Sequence, residues 1–379
     1  MKNLGGVFCR KQCLVAVLLL ATFYLGMNFV TIEIYVKKNL SLKKRIEYNV
    51  KNDKTRTFSD QVGSESYADS NIHDVNLNST SISFEHTTSA SRRGDIPCPD
   101  KSPLLKGPVG VNFEGAEKND SNWPPTFEEI AAAYPTLENG GYYPGPNDCR
   151  TENTVAIIIP FRDREEHLRF FLYYIHGILQ RQQARYRIFV VEQDDDQVFN
   201  KGQLMNTGFI YAHNDTRFHP KCFFFHDVDT VSEDDRTLYR CRGGNEVLHL
   251  SHRIDKFNYR FCCGMTVGGV IGMTNEQFQK LNGFSNAYYG WGAEDDDINA
   301  RIVWIGRFSI YRPPDDYIRF KMIRHENDKK NPKNNERVAL LNSWNKRQSK
   351  DGLNSLQSTI TSVVEYPTHT RILVKPKPK

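Results

Sequence analysis

The chemistry of this chain is concentrated in Gly290-Trp291-Gly292-Ala293-Glu294-Asp295-Asp296-Asp297, four consecutive carboxylates behind an aromatic residue set between glycines. Like charges packed this closely repel one another, and an uncompensated cluster belongs in a solvated tail. This one lies between apolar segments, residues 261–284 before it and 298–310 after it. A second acidic element, Asp227-Val228-Asp229, follows the apolar run Cys222-Phe223-Phe224-Phe225. Carboxylates held at two edges of a core suit a cation, a polyhydroxyl ligand, or both. For the triplet alone a solvated turn is the competing reading, and for the octet a surface acidic loop. The glycines around Trp291 give the backbone freedom beside a large side chain, which predicts a mobile ligand-contacting loop rather than a helix or strand. Met322-Ile323-Arg324-His325 adds His325, whose ordinary alternative is a surface or core histidine. A divalent cation held by Asp229 and completed by His325 would act as a Lewis acid and neutralise a diphosphate leaving group.

These groups need a scaffold, and the apolar pattern supplies one. Val155-Ala156-Ile157-Ile158-Ile159 is a β-branched run suited to burial on both faces of a parallel sheet, and Pro160 is expected to end it. A helix is predicted over residues 164–183. Leu168, Phe171, Leu172, Ile175, Ile178 and Leu179 recur at helical spacing, and Glu165 and Glu166 favour its N-terminal dipole. Residues 186–191 read as a second strand, completing a βαβ unit and making the body α/β. Ligands of such sheets collect beyond the carboxyl ends of the strands. Phe161-Arg162-Asp163-Arg164 falls there, and an inner strand over residues 222–225 would deliver Asp227 and Asp229 to the same edge.

Length and composition set the bounds. The chain has 379 residues, is 39% apolar and carries a formal charge of +5, enough for a sizeable core. Acidic and basic residues are interspersed, with no arginine-rich helix or zinc-knuckle spacing, so no nucleic-acid partner is expected. Residues 13–32 contain no charge and follow Arg10 and Lys11, long enough for one bilayer-spanning helix, with a cleaved signal peptide as the alternative. Lys37, Lys38, Lys43, Lys44 and Arg45 on the far side leave charge alone indecisive about orientation. Asn-x-Ser/Thr sequons begin at Asn39, Asn78, Asn119 and Asn214, all beyond the apolar run, which fits a lumenal body. Six cysteines of that body, Cys98, Cys149, Cys222, Cys241, Cys262 and Cys263, show no Cys-x-x-Cys spacing, and an oxidising lumen favours disulfides among them. The expected layout is a cytosolic tail (1–12), a transmembrane anchor (13–32), a disordered stem rich in Ser, Thr, Asn, Asp and Lys (33–94) and a lumenal catalytic domain (95–379).

From Ile96-Pro97-Cys98-Pro99 to near the C-terminus, the chain resembles the β-1,4-galactosyltransferase family. The resemblance runs through residues 155–164 into Glu166-His167-Leu168, Leu179-Gln180-Arg181-Gln182-Gln183, Asp227-Val228-Asp229, the octet, residues 322–325 and Asp351-Gly352-Leu353-Asn354-Ser355-Leu356. It implies a GT-A nucleotide-sugar-binding fold behind a type II Golgi anchor, and an inverting, Mn²⁺-dependent reaction. Asp229, Met322 and His325 would hold Mn²⁺, and a thioether ligand would leave magnesium a poor substitute. Pro160, Phe161, Arg162, Arg164 and Phe199 would hold UDP, with Asp227, Val228, Trp291 and Glu294 also on the donor side. Asp295 would be the catalytic base, Asp296 would bind acceptor hydroxyls beside Gly292, and Trp291 would ride on a mobile flap. The resemblance also implies disulfides pairing Cys98 with Cys149 and Cys222 with Cys241.

Departures from the family pattern concern specificity. Lys201 stands where relatives carry an arginine, keeping the charge but losing the bidentate fork. Cys263 and Thr266 replace two tyrosines of the vertebrate sugar pocket, and Lys333-Asn334-Asn335 stand in a shortened acceptor segment. Thr266 removes bulk beside the donor's C2 substituent, as in invertebrate relatives with a smaller residue there. The expected donor is therefore UDP-GalNAc, then UDP-Gal, then UDP-GlcNAc, and the acceptor a terminal GlcNAc of a glycoprotein or glycolipid glycan. The rival readings are a carbohydrate-binding module without turnover and a metal-dependent hydrolase of nucleotide sugars.

Overall fold

A computed structural model describes residues 96–114, 123–261, 266–324 and 331–379. The expected tail, anchor and stem, together with Cys262, Cys263 and His325, lie outside the described residues. No described helix is long and apolar enough to cross a membrane.

The middle of the described sheet is the βαβ unit. Strand β1 (Thr154–Phe161) pairs in parallel with β2 (Arg185–Gln193) on one side and β3 (Cys222–His226) on the other. Alternate side chains of β1 enter opposite cores, Val155, Ile157, Ile159 and Phe161 one and Ala156 and Ile158 the other, as the two-residue period of a strand requires. The first core is covered by helix α2 (Glu165–Arg181) through Leu168, Phe171, Leu172, Ile175 and Ile178. Helix α1 (Phe127–Ala133), closed by a Thr126–Glu129 capping box, packs beside it through Ile130. The second core is covered by α3 (Lys201–His213), where Gly208 lets the helix lie against Ile158 and Val191: a Cβ there would stand 2.6 Å from the first and 2.7 Å from the second. Folding starts α3 at a defined residue, because the Asn200 side chain accepts from Gln203 N–H at 2.9 Å and so leaves Lys201 in the first turn.

Outward from β3 the sheet continues through β6 (Val270–Thr274), β5 (Glu246–His249) and β7 (Ser309–Tyr311); outward from β2 it continues through β10 (Thr370–Lys375) and the edge strand β9 (Thr359–Glu365). A separate ribbon joins β4 (Thr230–Ser232) to β8 (Phe320–Met322). Helix α4 (Asn275–Lys280) follows β6, and α5 (Glu294–Ala300) runs on into a wider π-helical stretch, Arg301–Gly306. The short helices α6 (Arg337–Asn342) and α7 (Trp344–Arg347) follow near the C-terminal strands. Both expected disulfides are present, Cys98–Cys149 and Cys222–Cys241, the second joining the start of β3 to a segment 19 residues on.

Two expectations fail. Pro160 does not end β1, which runs to Phe161: pairing with β3 stops at Ile158, so Pro160 lies where β1 has a neighbour on one side only and a missing N–H is tolerated. The acidic octet is not all loop. Residues 290–293 are irregular, but Glu294, Asp295, Asp296 and Asp297 form the first turn of α5, where carboxylates meet the positive end of the helix dipole.

Candidate active site

The segment after β3, the start of α3 and the first turn of α5 meet at Lys201. Its ammonium lies 3.0 Å from Asp227 Oδ1, 3.3 Å from Asp295 Oδ1 and 3.5 Å from Glu294 Oε1. Burial disfavours the charged lysine, but Asp227, Asp295 and Glu294 together outweigh it and hold its pKa well above the ordinary value. Burial also raises the Asp227 carboxyl, opposed by Lys201 and reinforced by Asp295 and Asp229; it raises Glu294, reinforced by Asp295 and opposed by Lys201. Asp296 is raised by burial and by Asp295. Glu294 Oε2 is buried and has no hydrogen-bond partner among the described residues. Three carboxylates around one ammonium leave an excess of negative charge that a further cation would relieve.

The β4–β8 ribbon supplies the neighbouring donors. Thr230 pairs with Met322 across it, and Ile323 N–H donates to the Asp229 carbonyl at 2.8 Å, so Asp229 and Met322 stand on facing strand ends. Asp229 is buried, with Thr230 Oγ1 donating to its Oδ1 at 3.1 Å. Asp255 fixes the other strand, accepting from Met322 N–H and from Arg324, each at 3.0 Å. Among the described residues no three His, Cys, Asp or Glu side chains are arranged to hold a metal ion by themselves, so a metal here would depend on Met322 and on His325 three residues later. A buried carboxylate and a thioether, beside the acidic cluster that Asp229 joins through Asp227, fit a divalent cation softer than magnesium.

Just beyond the carboxyl end of β1, Arg162 is buried, donates to the Gln197 carbonyl at 2.7 Å and lies over the Phe199 ring at 5.1 Å. Pro160, Phe161 and Val228 are buried, and the Phe161 side chain packs in the core under Arg371, so the backbone rather than the ring faces the sheet edge. Arg164 is half-buried at the start of α2. Trp291 is 62% exposed, although its backbone is tied on both sides: its N–H donates to Pro332 O at 2.9 Å, and its carbonyl accepts from Asn334 N–H at 3.0 Å. Gly290 N–H donates to Phe199 O at 2.8 Å, and a Cβ at Gly290 would stand 2.3 Å from Pro332 O, which only glycine avoids at its φ of 87°. Gly292 lies against Arg337, and Asp296 is half-buried on α5. Asp297 does not join the site: it points away into Arg301, at 2.6 Å, with neither side chain exposed.

Several supporting residues were not anticipated. His226 is buried, its Nδ1–H donating to Asp227 O at 2.8 Å and its Nε2 accepting from Tyr239 at 2.9 Å; burial holds it neutral, with the pKa down at about 4. Behind Thr266, Arg312 donates to His249 Nδ1 at 2.9 Å, and His249 Nε2–H donates to Gly268 O at 3.1 Å. Ser251 adds a second donor to the same carbonyl at 3.0 Å. Gly268 faces Asp295 so closely that a Cβ would stand 2.6 Å from its Oδ2. Thr266 Oγ1 accepts from Gly268 N–H at 3.4 Å, and its carbonyl accepts from Arg312 at 3.1 Å. Nothing in sequence spacing marks His226, His249, Ser251 or Arg312, which meet only through the sheet. The Asp297–Arg301 pair, by contrast, is legible as an i, i+4 partnership on a helix.

Residues 98–242 match the family described as the N-terminal region of glycosyl transferase group 7, and residues 248–326 match the one described as the N-terminal domain of galactosyltransferase. Human β-1,4-galactosyltransferase 1 is 42% identical over 298 residues, covering 78% of this chain and 70% of the human protein. Cricetulus griseus β-1,4-galactosyltransferase 2 is 40% identical over 278 residues, 73% of this chain and 72% of that protein. Among solved structures, a mutant of Drosophila β-1,4-galactosyltransferase 7 in complex with manganese, UDP-Gal and xylobiose is 28% identical, with a TM-score of 0.51 over 60% of this chain and 95% of that one.

Proposed function

The chain belongs to the β-1,4-galactosyltransferase family and is a glycosyltransferase, and from that premise we propose that it moves N-acetylgalactosamine from UDP-GalNAc, with inversion, to O4 of a terminal N-acetylglucosamine on a glycoprotein or glycolipid glycan. What carries the reading is the meeting of Asp295 with Lys201 and the Gly268 backbone, at the same sheet edge as the Asp229–Met322 pair. Asp229, Met322 and His325 would hold Mn²⁺, which when bound offsets the charge gathering on departing UDP. Asp295 would take the proton of the acceptor hydroxyl as its oxygen attacks the anomeric carbon from the face opposite UDP, a contribution of about 10²–10⁴-fold. Lys201 orients that carboxylate, the Arg162–Phe199 pair shapes the nucleotide side, and Asp296 would receive acceptor hydroxyls. Trip-wire contact with the donor would come from exposed Trp291, whose tied backbone lets the side chain cover the sugar and exclude water. Residues 13–32 would anchor the enzyme in the Golgi membrane with its catalytic domain in the lumen.

Thr266 supports the choice of donor. Its small side chain leaves room for an acetamido group, and with Oγ1 accepting from Gly268 its own O–H stays available to donate to the acetamido carbonyl. That bond matters because an unpaired buried amide costs about 1–3 kcal/mol. UDP-Gal is the second reading, favoured by the activity named for the relatives. The test is a panel of UDP-sugars with and without a GlcNAc-terminated acceptor, read by mass. GalNAc transfer is expected, shifting toward galactose in Thr266→Tyr, and Asp295→Asn should lose turnover while still binding UDP. Good galactose transfer with little GalNAc transfer would overturn the donor assignment, and UDP release without acceptor would mean a hydrolase.

A further inference from the structure

Asn214-Asp215-Thr216, where α3 ends, is the one sequon among the described residues, and the chemistry proposed above makes no use of it. Its centre is bolted down. The Asp215 side chain is 6% exposed and ion-paired to buried Arg187, and its Oδ1 accepts from Arg217 N–H at 3.0 Å. With the middle residue held inward, Asn214 and Thr216 are both exposed. The Asn214 backbone N–H is satisfied within the last turn of α3, while its side-chain amide makes no hydrogen bond among the described residues. Asn214 also lines a groove of about 580 Å³ between the end of α3 and the segment leading into β9. Tyr211 and Ile210 form one wall, and Leu353, Leu356 and Ile360 the other, with Ser358 among them. Ile210 and Ile360 are 38% and 41% exposed, apolar surface that a sugar ring's C–H face would cover.

We infer that Asn214 is an N-glycosylation site and that the first N-acetylhexosamine of its glycan seats in this groove. In the modification, Asn214 Nδ2 forms a bond to C1 of the reducing-end sugar of a lipid-diphosphate-linked oligosaccharide. The C1–O bond to the diphosphate breaks, the amide gives up one proton, and the lipid diphosphate departs. The site is built for a covalently tethered occupant: attachment holds the sugar at high local concentration, so a shallow groove suffices to order it. The inference rests on the lumenal placement proposed above.

The test uses the full chain made in a secretory eukaryotic host, digested and treated with peptide N-glycosidase in heavy-oxygen water. The Asn214 peptide should carry labelled aspartate. Asn214→Gln and Thr216→Ala should each abolish the label, and Thr216→Ser, which keeps the hydroxyl, should retain it. Hydrogen exchange of residues 353–360 should lose protection in Asn214→Gln and after enzymatic removal of the glycan from the folded protein. Label at Asn39, Asn78 or Asn119 without label at Asn214 overturns the site while leaving the lumenal placement standing, and no label anywhere overturns both. Label at Asn214 with unchanged exchange in residues 353–360 overturns the seating of the sugar.

Discussion

At the scale of single residues, the carboxylates of one short acidic run have been sorted into different tasks by helical geometry. Glu294 and Asp295 turn to Lys201, Asp296 stays half-exposed, and Asp297 is buried against Arg301. Composition alone treats these four as equivalent, and their division is set by the 3.6-residue turn of α5. Asp295 is positioned less by its own bonds than by what stands behind it. The Arg312–His249–Gly268 chain and Ser251 hold a glycine whose missing side chain makes space for the carboxylate. Gly268→Ala would put a methyl group 2.6 Å from Asp295 Oδ2, and the short aspartate side chain must move away. Misplacing a catalytic group by about 1 Å costs on the order of 10²-fold in rate. Steady-state kinetics should therefore show kcat reduced by that order, with the urea midpoint near that of the parent protein. Parent-like kcat would mean that Gly268 has no part in placing Asp295.

At the scale of elements, α5 stays in place through a buried charge network. Asp297 accepts from Arg301 Nε at 2.6 Å, from Tyr288 at 3.0 Å and from Arg347 at 3.1 Å, and Arg301 donates to Asp351 O at 2.8 Å. The motif Asp351-Gly352 thus clamps the helix that carries Asp295, which gives it a physical role. Asp297→Asn would leave buried Arg301 only the more distant Asp351 carboxylate, 3.6 Å away and shared with Arg347, and breaking a buried pair from one side costs about 3–5 kcal/mol. Urea unfolding should show a lower midpoint with an unchanged slope; a loss under about 1 kcal/mol would show that the network does not clamp α5. The βαβ unit was legible because β-branched runs and helical spacing carry their own period, as in Val155 to Ile159 and Leu168 to Leu179. The ribbon joining Asp229 to Met322 was not, since three-residue strands some ninety positions apart have no period of their own. Pro160 was misread because a proline's tolerance in a strand depends on which neighbour is missing, information that resides in the sheet.

Across the whole molecule, stability is tied to acidity by histidines far from the site. His176 on α2 accepts from Tyr186 at 2.8 Å and donates to Thr368 O at 3.0 Å, bridging α2, β2 and the turn before β10. His369, buried beside it, stacks on Tyr366. Burial pushes both down to about 3, with Arg371 and His176 adding to the effect on His369. Between that value and the unfolded value of about 6.5, the unfolded chain binds protons that the native state excludes, so stability rises with pH through this window and is complete above it. Each histidine contributes a slope of roughly 1.4 kcal/mol per pH unit there. Urea midpoints should fall between pH 7 and pH 5, less steeply in His176→Gln; equal midpoints at the two pH values would refute the linkage. The segment between β8 and α6 is fastened at both ends. Ile323 is bonded to Asp229 at one end and Asn334 to Trp291 at the other. Closure costs rise slowly with loop length, so lineages can add or delete residues beyond His325 without shifting the Asp229–Met322 register. A change of length between these two fastenings would then leave the proposed metal pair and the backbone of Trp291 where they are, and would alter only what the intervening residues can touch.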